Sequence, residues 1–518
     1  MEKEKKQMNK NIKRIIIGSA LVCVSLVVGL VTGIQISSGE TTIIDDNSPT
    51  DQLIKFLKDN WDSDIYYGKE IDENVLIDQF VGAVTTSDEL MLDPYTYLIK
   101  NESGGVALQT GKLGITISFH YNYPVIQEIS KGAAAEGILQ VGDIITKSGR
   151  RNGNGWEYHS ILDNGYDYSN LLSSVIGLPG DEVFVEVARF DEKNKLSFKQ
   201  NVITLKAPEK YTNYSYLVNE NIDDAIMVKM TSFVDGTNYD NTCDQLEDIL
   251  KENKSKNLIL DLRDNGGGDL SSVLNICDLF LEKDMLVTTL KYKNGTSIDY
   301  KTKDNDKYEF DKICILQNGN TASASEVLIS TLQYYFPEKV TLIGSKSYGK
   351  GIAQRKQSVL DNKYTLQYTC ARWLRPDGSW IGMTNSYYTE GYQLGFNPSE
   401  NCSIERNDLL YLMEYCNQNI FYKKNVSGYT GFKHDYVSAV NTYFFAVYNQ
   451  MFNDNVRIDG YFDTSCANAI RNYQTRKGIY ASGIMNENTF LYFVNDLVLE
   501  RQAFNKAHID KAQQIIEG

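Results

Sequence analysis

Leu258-Ile-Leu-Asp-Leu-Arg-Asp-Asn-Gly-Gly-Gly-Asp269 decides how this chain is read. Leu258–Leu262 is a short apolar run of the kind found in buried strands. The three glycines after it mark a tight turn whose backbone N–H groups can approach a ligand closely. A phosphate loop would need Gly-Lys-Ser/Thr after the glycines, and none follows. Outward from this turn, Ile226-Met-Val-Lys-Met230 and Ile313-Cys-Ile-Leu316 read as further buried strands. Helical stretches fall near 240–251, 270–281 and 324–336. Strands alternating with helices predict an α/β core with at least partly parallel strands over residues 207–425.

Two segments in that core carry chemistry. Thr321-Ala-Ser-Ala-Ser-Glu326 follows a Gly-Asn turn, and Tyr348-Gly-Lys-Gly-Ile-Ala-Gln354 sets a lysine between two glycines. A serine hydroxyl is a poor nucleophile until a base takes its proton. A lysine serves as that base if burial disfavours its ammonium form. Ser323 opens a helix, where unpaired N–H groups and partial positive charge suit an oxyanion. Alone, Ser323-Ala-Ser-Glu326 reads more readily as a helix capping box. The glycine turn and the lysine between glycines shift the balance. Four histidines in the chain (120, 159, 434 and 508) offer no local signature for a histidine base. Ser347-Tyr-Gly-Lys350 matches a Ser-x-x-Lys pattern, but that chemistry needs one helical turn, which glycines 349 and 351 oppose.

The succession Asp261-Leu-Arg-Asp-Asn-Gly-Gly-Gly268, Ala322-Ser-Ala-Ser-Glu326, Tyr348-Gly-Lys-Gly-Ile-Ala-Gln354 resembles the carboxyl-terminal processing (tail-specific) proteases. The likeness extends from about residue 51 to about 400. Asp93-Pro-Tyr-Thr-Tyr-Leu98 resembles the family's segment before its PDZ domain, with Tyr95 where His is usual. Leu113-Gly-Ile-Thr116 and Gly132-Ala-Ala-Ala-Glu-Gly137 through Gly142-Asp-Ile-Ile145 resemble that PDZ domain, the second stretch read as a small-residue helix, a turn and a buried strand. The resemblance implies Ser323, not Ser325, as nucleophile, Lys350 as general base and Gln354 as the residue orienting it. It also implies oxyanion N–H groups from Gly268 and Ala324. Peptide C-termini would be held at the loop Leu113, Gly114, Ile115 and Thr116 by strand addition. Gln354 lies four positions after Lys350, an even step that keeps both on one face of a strand. No metal or organic cofactor is implied.

The ends of the chain place the core. Six basic residues within 1–14 precede an uncharged stretch from Ile15 to Ile36. Its 22 residues would span about 33 Å as a helix, enough for a hydrocarbon core of about 30 Å. Basic flanks keep the N-terminus inside, so the expected location is a single-pass cell-membrane protein with an extracytoplasmic catalytic part. Residues 53–84 carry two amphipathic stripes, suited to packing on their own domain or to a homodimer contact. Near the other end, Val437, Val440, Phe444 and Val447 share a face, and two turn-and-cap patterns follow. This resembles a small helical peptidoglycan-binding module.

The reading is therefore a multidomain α/β protein. Its expected divisions are a cytoplasmic segment 1–14, an anchor 15–36, a linker and helices 37–104, and a PDZ-like β domain 105–206. A Ser-Lys protease core 207–425, a peptidoglycan-binding-like module 426–500 and a tail 501–518 complete it. The expected partners are proteins with accessible C-termini, peptidoglycan and the membrane. A net charge of −15 argues against nucleic acid. Several of the eight cysteines sit in apolar runs as buried thiols, while Cys402 and Cys416 suit a bridge in an oxidising compartment. A catalytically silent scaffold binding C-termini and peptidoglycan is the alternative, opposed by the intact Ser323, Lys350 and Gln354.

Overall fold

The structure, a computed structural model, describes Tyr95 and residues 97–100, 112–130, 132–160, 169–206, 214–218, 222, 224–236, 241–292, 294–304, 307–359, 364–383, 394–420 and 431–518. The expected membrane anchor and the amphipathic stripes of 53–84 lie outside these residues. Among the described residues no helix is long and apolar enough to cross a membrane.

Strand β1 (Tyr97–Lys100) leads the described chain and joins a sheet formed much later in sequence. An antiparallel sheet follows, built from β2 (Ile115–His120), β3 (Tyr123–Ile129), β4 (Ile144–Asn152), β5 (Gly155–Ser160), β6 (Glu182–Phe190) and β7 (Leu196–Thr204). Its order is β2-β3-β4-β6-β7, with β5 also on β4, so β2 stands at the sheet's edge. Inward residues such as Val125, Ile126, Ile144, Val185 and Val187 form its core. The helix expected after Gly132 is instead a succession of turns. Ala133, Glu136 and Ile138 each donate an N–H three residues back, and Gly132 (φ +78°) and Gly137 (φ +74°) take left-handed backbone that ends any helix.

The α/β core is a second sheet. Here β8 (Ser215–Leu217), β9 (Ala225–Met230), β10 (Asn257–Asp261), β13 (Lys312–Gln317) and β14 (Val340–Gly344) run in the order β14-β13-β10-β9-β8. The four from β9 to β14 are parallel, and β8 is antiparallel at the edge. Alternate residues point to opposite faces, so both faces need cover. One face (Val228, Leu258, Leu260, Ile313, Ile315, Leu342) is covered by α2 (Thr242–Glu252), α3 (Leu270–Asp278) and α4 (Ala324–Tyr335). A third sheet, of β1, β16 (Tyr364–Leu374), β11 (Leu286–Tyr292) and β12 (Ser297–Lys301), carries β15 (Ile352–Val359) on β16.

The other face of the β14-β13-β10-β9-β8 sheet is closed by the end of the chain. Helix α8 (Glu487–Glu517; α5 to α7 follow below) packs Ile509, Ala512 and Ile516 against Met227, Ile259, Cys314, Leu316 and Ile343. The expected division at residue 500 therefore falls inside one helix, and 501–518 is a core layer rather than a tail. The division at 425 moves too. Helix α5 (Asp408–Asn417) shares its core with α6 (Asp435–Tyr443), α7 (Thr464–Arg476) and the first turns of α8.

This helical module does not hang free of the β2–β7 sheet. Tyr121 packs edge-on against Tyr443 and Phe490 at 6.1 and 5.9 Å between ring centres, and its hydroxyl donates to the Met413 carbonyl at 3.1 Å. Phe190 meets Tyr492 at 4.9 Å. Cys402 and Cys416, candidates for a bridge, are free buried thiols in different core clusters.

Candidate active site

Adjacent parallel strands deliver their following loops to one edge of a sheet. Strand β10 lies beside β13, and β13 beside β14, so the glycine turn (262–269), the Ser323 loop (318–323) and the Lys350 loop (345–351) emerge side by side. Sequence order alone could not place three loops across ninety residues together; the strand order does.

Asn265 stitches the first two loops. Its backbone carbonyl accepts from the Ala322 N–H at 3.1 Å and the Ser325 hydroxyl at 2.9 Å, and its side chain accepts from the Gly267 N–H. Thr321 donates its hydroxyl to the Leu262 carbonyl at 2.8 Å. Ser325 is thus fully buried and structurally occupied, whereas Ser323 is half-exposed with left-handed backbone at φ +58°. A positive φ on a non-glycine residue is uncommon and strained. Here it turns the residue sharply out of the loop at the head of α4.

The glycines are required by contact. A side chain at Gly267 would lie 2.8 Å from the Ala322 oxygen, the Ala324 nitrogen and Ser323 Cβ, and one at Gly268 would meet the Phe233 oxygen at 2.0 Å. Among the described residues neither the Ala324 nor the Gly268 N–H donates a hydrogen bond. Both lie around Ser323, one adjacent in sequence and one in the facing turn. Upstream of the turn, burial alone would raise the Asp261 carboxyl, but Lys229 and Arg263 hold it well below the usual carboxylate range. Arg263 bonds Asp261 at 2.7 Å and reaches the Asn505 carbonyl of α8 at 2.9 Å, anchoring the strand end.

Glu326 joins the serine to the lysine. Its carboxylate is completely buried and accepts four donors. The backbone N–H groups of Ser323 and Lys350 both reach Oε2 at 2.9 Å, and the Ser347 hydroxyl and Gly349 N–H both reach Oε1 at 2.7 Å. Burial pushes this carboxyl above its ordinary range, against those hydrogen bonds, which favour the charged form. One side chain therefore fixes the backbones of both Ser323 and Lys350. Ser347 is committed here, and the residues around it form no helix, so the Ser-x-x-Lys pattern has no helical turn to act on.

Lys350 Nζ donates to Gln354 Oε1 at 2.8 Å, and it lies 4.4 Å from the centre of the Tyr95 ring. Trp373 and Trp380 donate their indole N–H groups to the carbonyls of Lys350 and Gly351 at 2.7 and 2.6 Å. No hydrogen bond joins Ser323 Oγ to Lys350 Nζ in this arrangement. The expected loop at Leu113 is separate from these groups. Leu113 is buried, Gly114 takes φ +73° against Ala133, and Ile115 and Thr116 begin the edge strand β2 opposite Ile129 and Glu128.

Residues 224–386 match the profile of peptidase family S41. That stretch is similar to the family's peptidase domain. Residues 435–491 match a putative peptidoglycan binding domain. Over 375 residues the chain is 28% identical to the carboxy-terminal processing protease CtpA of Bacillus subtilis (strain 168), covering 71% of this chain and 74% of that protein. A probable CtpA-like serine protease of Staphylococcus aureus (strain COL) is 29% identical over 299 residues, covering 56% of this chain and 55% of that one. Among solved structures, a photosystem II D1 C-terminal processing protease covers 70% of this chain and 89% of its own, at 17% identity and a TM-score of 0.37.

Sequence reasoning found the serine peptidase and its likeness to the carboxyl-terminal processing proteases. It did not assign Glu326 or Asn265 a part in the site. Both sit inside the quoted motifs, Glu326 read only as a cap and Asn265 only as part of a turn. Tyr95 stood out by its substitution for His, with no contact to explain it.

Proposed function

We propose that the chain is a cell-envelope serine endopeptidase with a Ser323–Lys350 dyad steadied by Gln354, which captures protein C-termini at the edge of β2 and processes or degrades them. The observation that carries this is the Glu326 carboxylate, which holds the Ser323 and Lys350 backbones on one oxygen while Gln354 accepts from the lysine amine. Neutral Lys350 takes the proton from Ser323 Oγ as that oxygen attacks the scissile carbonyl carbon. The Ala324 and Gly268 N–H groups receive the oxyanion. Lys350 then passes its proton to the leaving amine, and water releases the acyl group by the same steps reversed. Substrate binding would close the distance between Ser323 and Lys350, a shift toward the competent state driven by its tighter affinity for that state.

A PDZ-type reading of the β2–β7 sheet rests on the Leu113–Thr116 loop opening an edge strand, where an incoming peptide adds its own strand. Residues 15–36 would anchor the protein once through the cell membrane, with the catalytic part on the wall side near the peptidoglycan its helical module would bind. The test uses full-length protein in detergent with a loosely folded substrate bearing an apolar C-terminal tail. Ser323→Ala and Lys350→Ala lose cleavage and Ser325→Ala keeps it. If the unaltered protein binds the tail and leaves the substrate whole, the silent scaffold is the better account.

A further inference from the structure

A glutamine amide can offer either its oxygen or its nitrogen, and only the oxygen can accept from the lysine amine. Something must therefore set which end of Gln354 faces Lys350. Gln354 Nε2 donates to the backbone carbonyl of Tyr95 at 2.8 Å, across 259 positions of sequence. This contact turns the amide oxygen toward Lys350.

Tyr95 is itself held. Its hydroxyl lies 2.6 Å from the hydroxyl of Tyr348, and the Tyr348 N–H donates to the Thr321 carbonyl at 2.9 Å, two residues before Ser323. Its ring packs on the cluster of Ile352, Trp380 and Met383 and covers the Lys350 amine at 4.4 Å. The segment arrives through β1, which pairs Tyr97 with Gln367 of β16. An element from before the β2–β7 sheet thus completes the surroundings of the lysine.

We propose that Tyr95 is a positioning residue for the Lys350–Gln354 pair, its carbonyl fixing the amide of Gln354 and its ring seating the lysine amine. This deepens the Ser-Lys reading above and rests on it for its catalytic meaning. An aromatic face attracts a cation above it, so the ring seats the lysine side chain beside Gln354. Charged or titratable groups on the elements packed around this pair, among the described residues, include Tyr348 bonded to Tyr95, Glu326 bonded to the Lys350 backbone, and Arg372 stacked on Trp380.

The experiment reads the lysine directly. Full-length protein carrying lysine labelled with 13C at Cε is titrated by NMR, with the Lys350 signal assigned by its loss in Lys350→Arg. Removing the ring in Tyr95→Leu is expected to move the Lys350 titration to lower pH by about 0.5 to 1.5 units. Tyr95→Phe keeps ring and carbonyl and is expected to stay within about 0.3 units of the unaltered protein. Cleavage measured in parallel should fall about tenfold or more in Tyr95→Leu and about threefold or less in Tyr95→Phe. If Tyr95→Leu does not fold, Tyr95→Met carries the same comparison. An unmoved titration in the ringless variant overturns the proposal, as does an equal shift in Tyr95→Phe. If the titration moves as expected while the unaltered protein cleaves nothing, the protease reading fails and the Tyr95 contact stands.

Discussion

Replacing Glu326 with glutamine separates catalytic geometry from stability. The carboxylate gives two oxygens to four donors, whereas an amide has one oxygen and turns an NH2 toward the other pair. Two charge-assisted bonds are lost, at about 1.5–3 kcal/mol each. Against that, the variant no longer holds a charge in a fully buried site, a relief of several kcal/mol. The raised carboxyl shows that burial already outweighs the hydrogen bonds for the charged form. The net change in stability is therefore expected within about 2 kcal/mol. Activity has no such offset. If the Ser323 and Lys350 pair keeps the oxygen, Ser347 and Gly349 lose their ties; if the other pair keeps it, Ser323 and Lys350 are both released. Either way the Lys350 loop is loosened, and misplacement of about 1 Å costs roughly a hundredfold in rate. Glu326→Gln should unfold in urea near the unaltered protein's midpoint while kcat/KM on a tailed substrate falls about a hundredfold or more. Retention of kcat/KM within about threefold would refute the claim that this carboxylate aligns the serine with the lysine.

Three other consequences can be measured. Gly267→Ala puts a side chain 2.8 Å from the Ala322, Ser323 and Ala324 atoms at φ +103°, so kcat/KM should drop about a hundredfold and thermal stability should fall as well. Ile509→Ala, on the helix that closes the catalytic sheet, should cost about 2–4 kcal/mol in urea unfolding, and deleting residues 505–518 should leave no soluble folded core; an unaffected deletion would show that this layer is dispensable. His120 is depressed from 6.5 to about 3, first by burial and then by the charge of Arg501. It stays neutral when folded while the unfolded chain takes up a proton below about pH 6.5, so its contribution is full above that pH and is lost as pH falls toward 3. Between pH 7 and pH 5 this should remove about 2 kcal/mol, and His120→Gln should flatten that slope.

The sequence by itself determined the strands and the reactive groups. Uninterrupted apolar runs such as Leu258–Leu262 and Ile313–Leu316 fit strands buried on both faces, and the glycines at 267 and 268 fit a turn that tolerates no side chain. These are local properties, legible wherever neighbours along the chain suffice. Strand order decided the rest. Only β10 lying beside β13, and β13 beside β14, brings the turn, Ser323 and Lys350 to one edge. Only long-range contact shows that Glu326 ties two loops together, that Tyr95 faces a lysine 255 positions later in the chain, and that residues 501–518 close a core rather than trail from it. A capping glutamate, a lone tyrosine and a polar-looking tail look ordinary in one dimension. Their roles come from partners far off in sequence, and those partners are chosen by the packing of the whole.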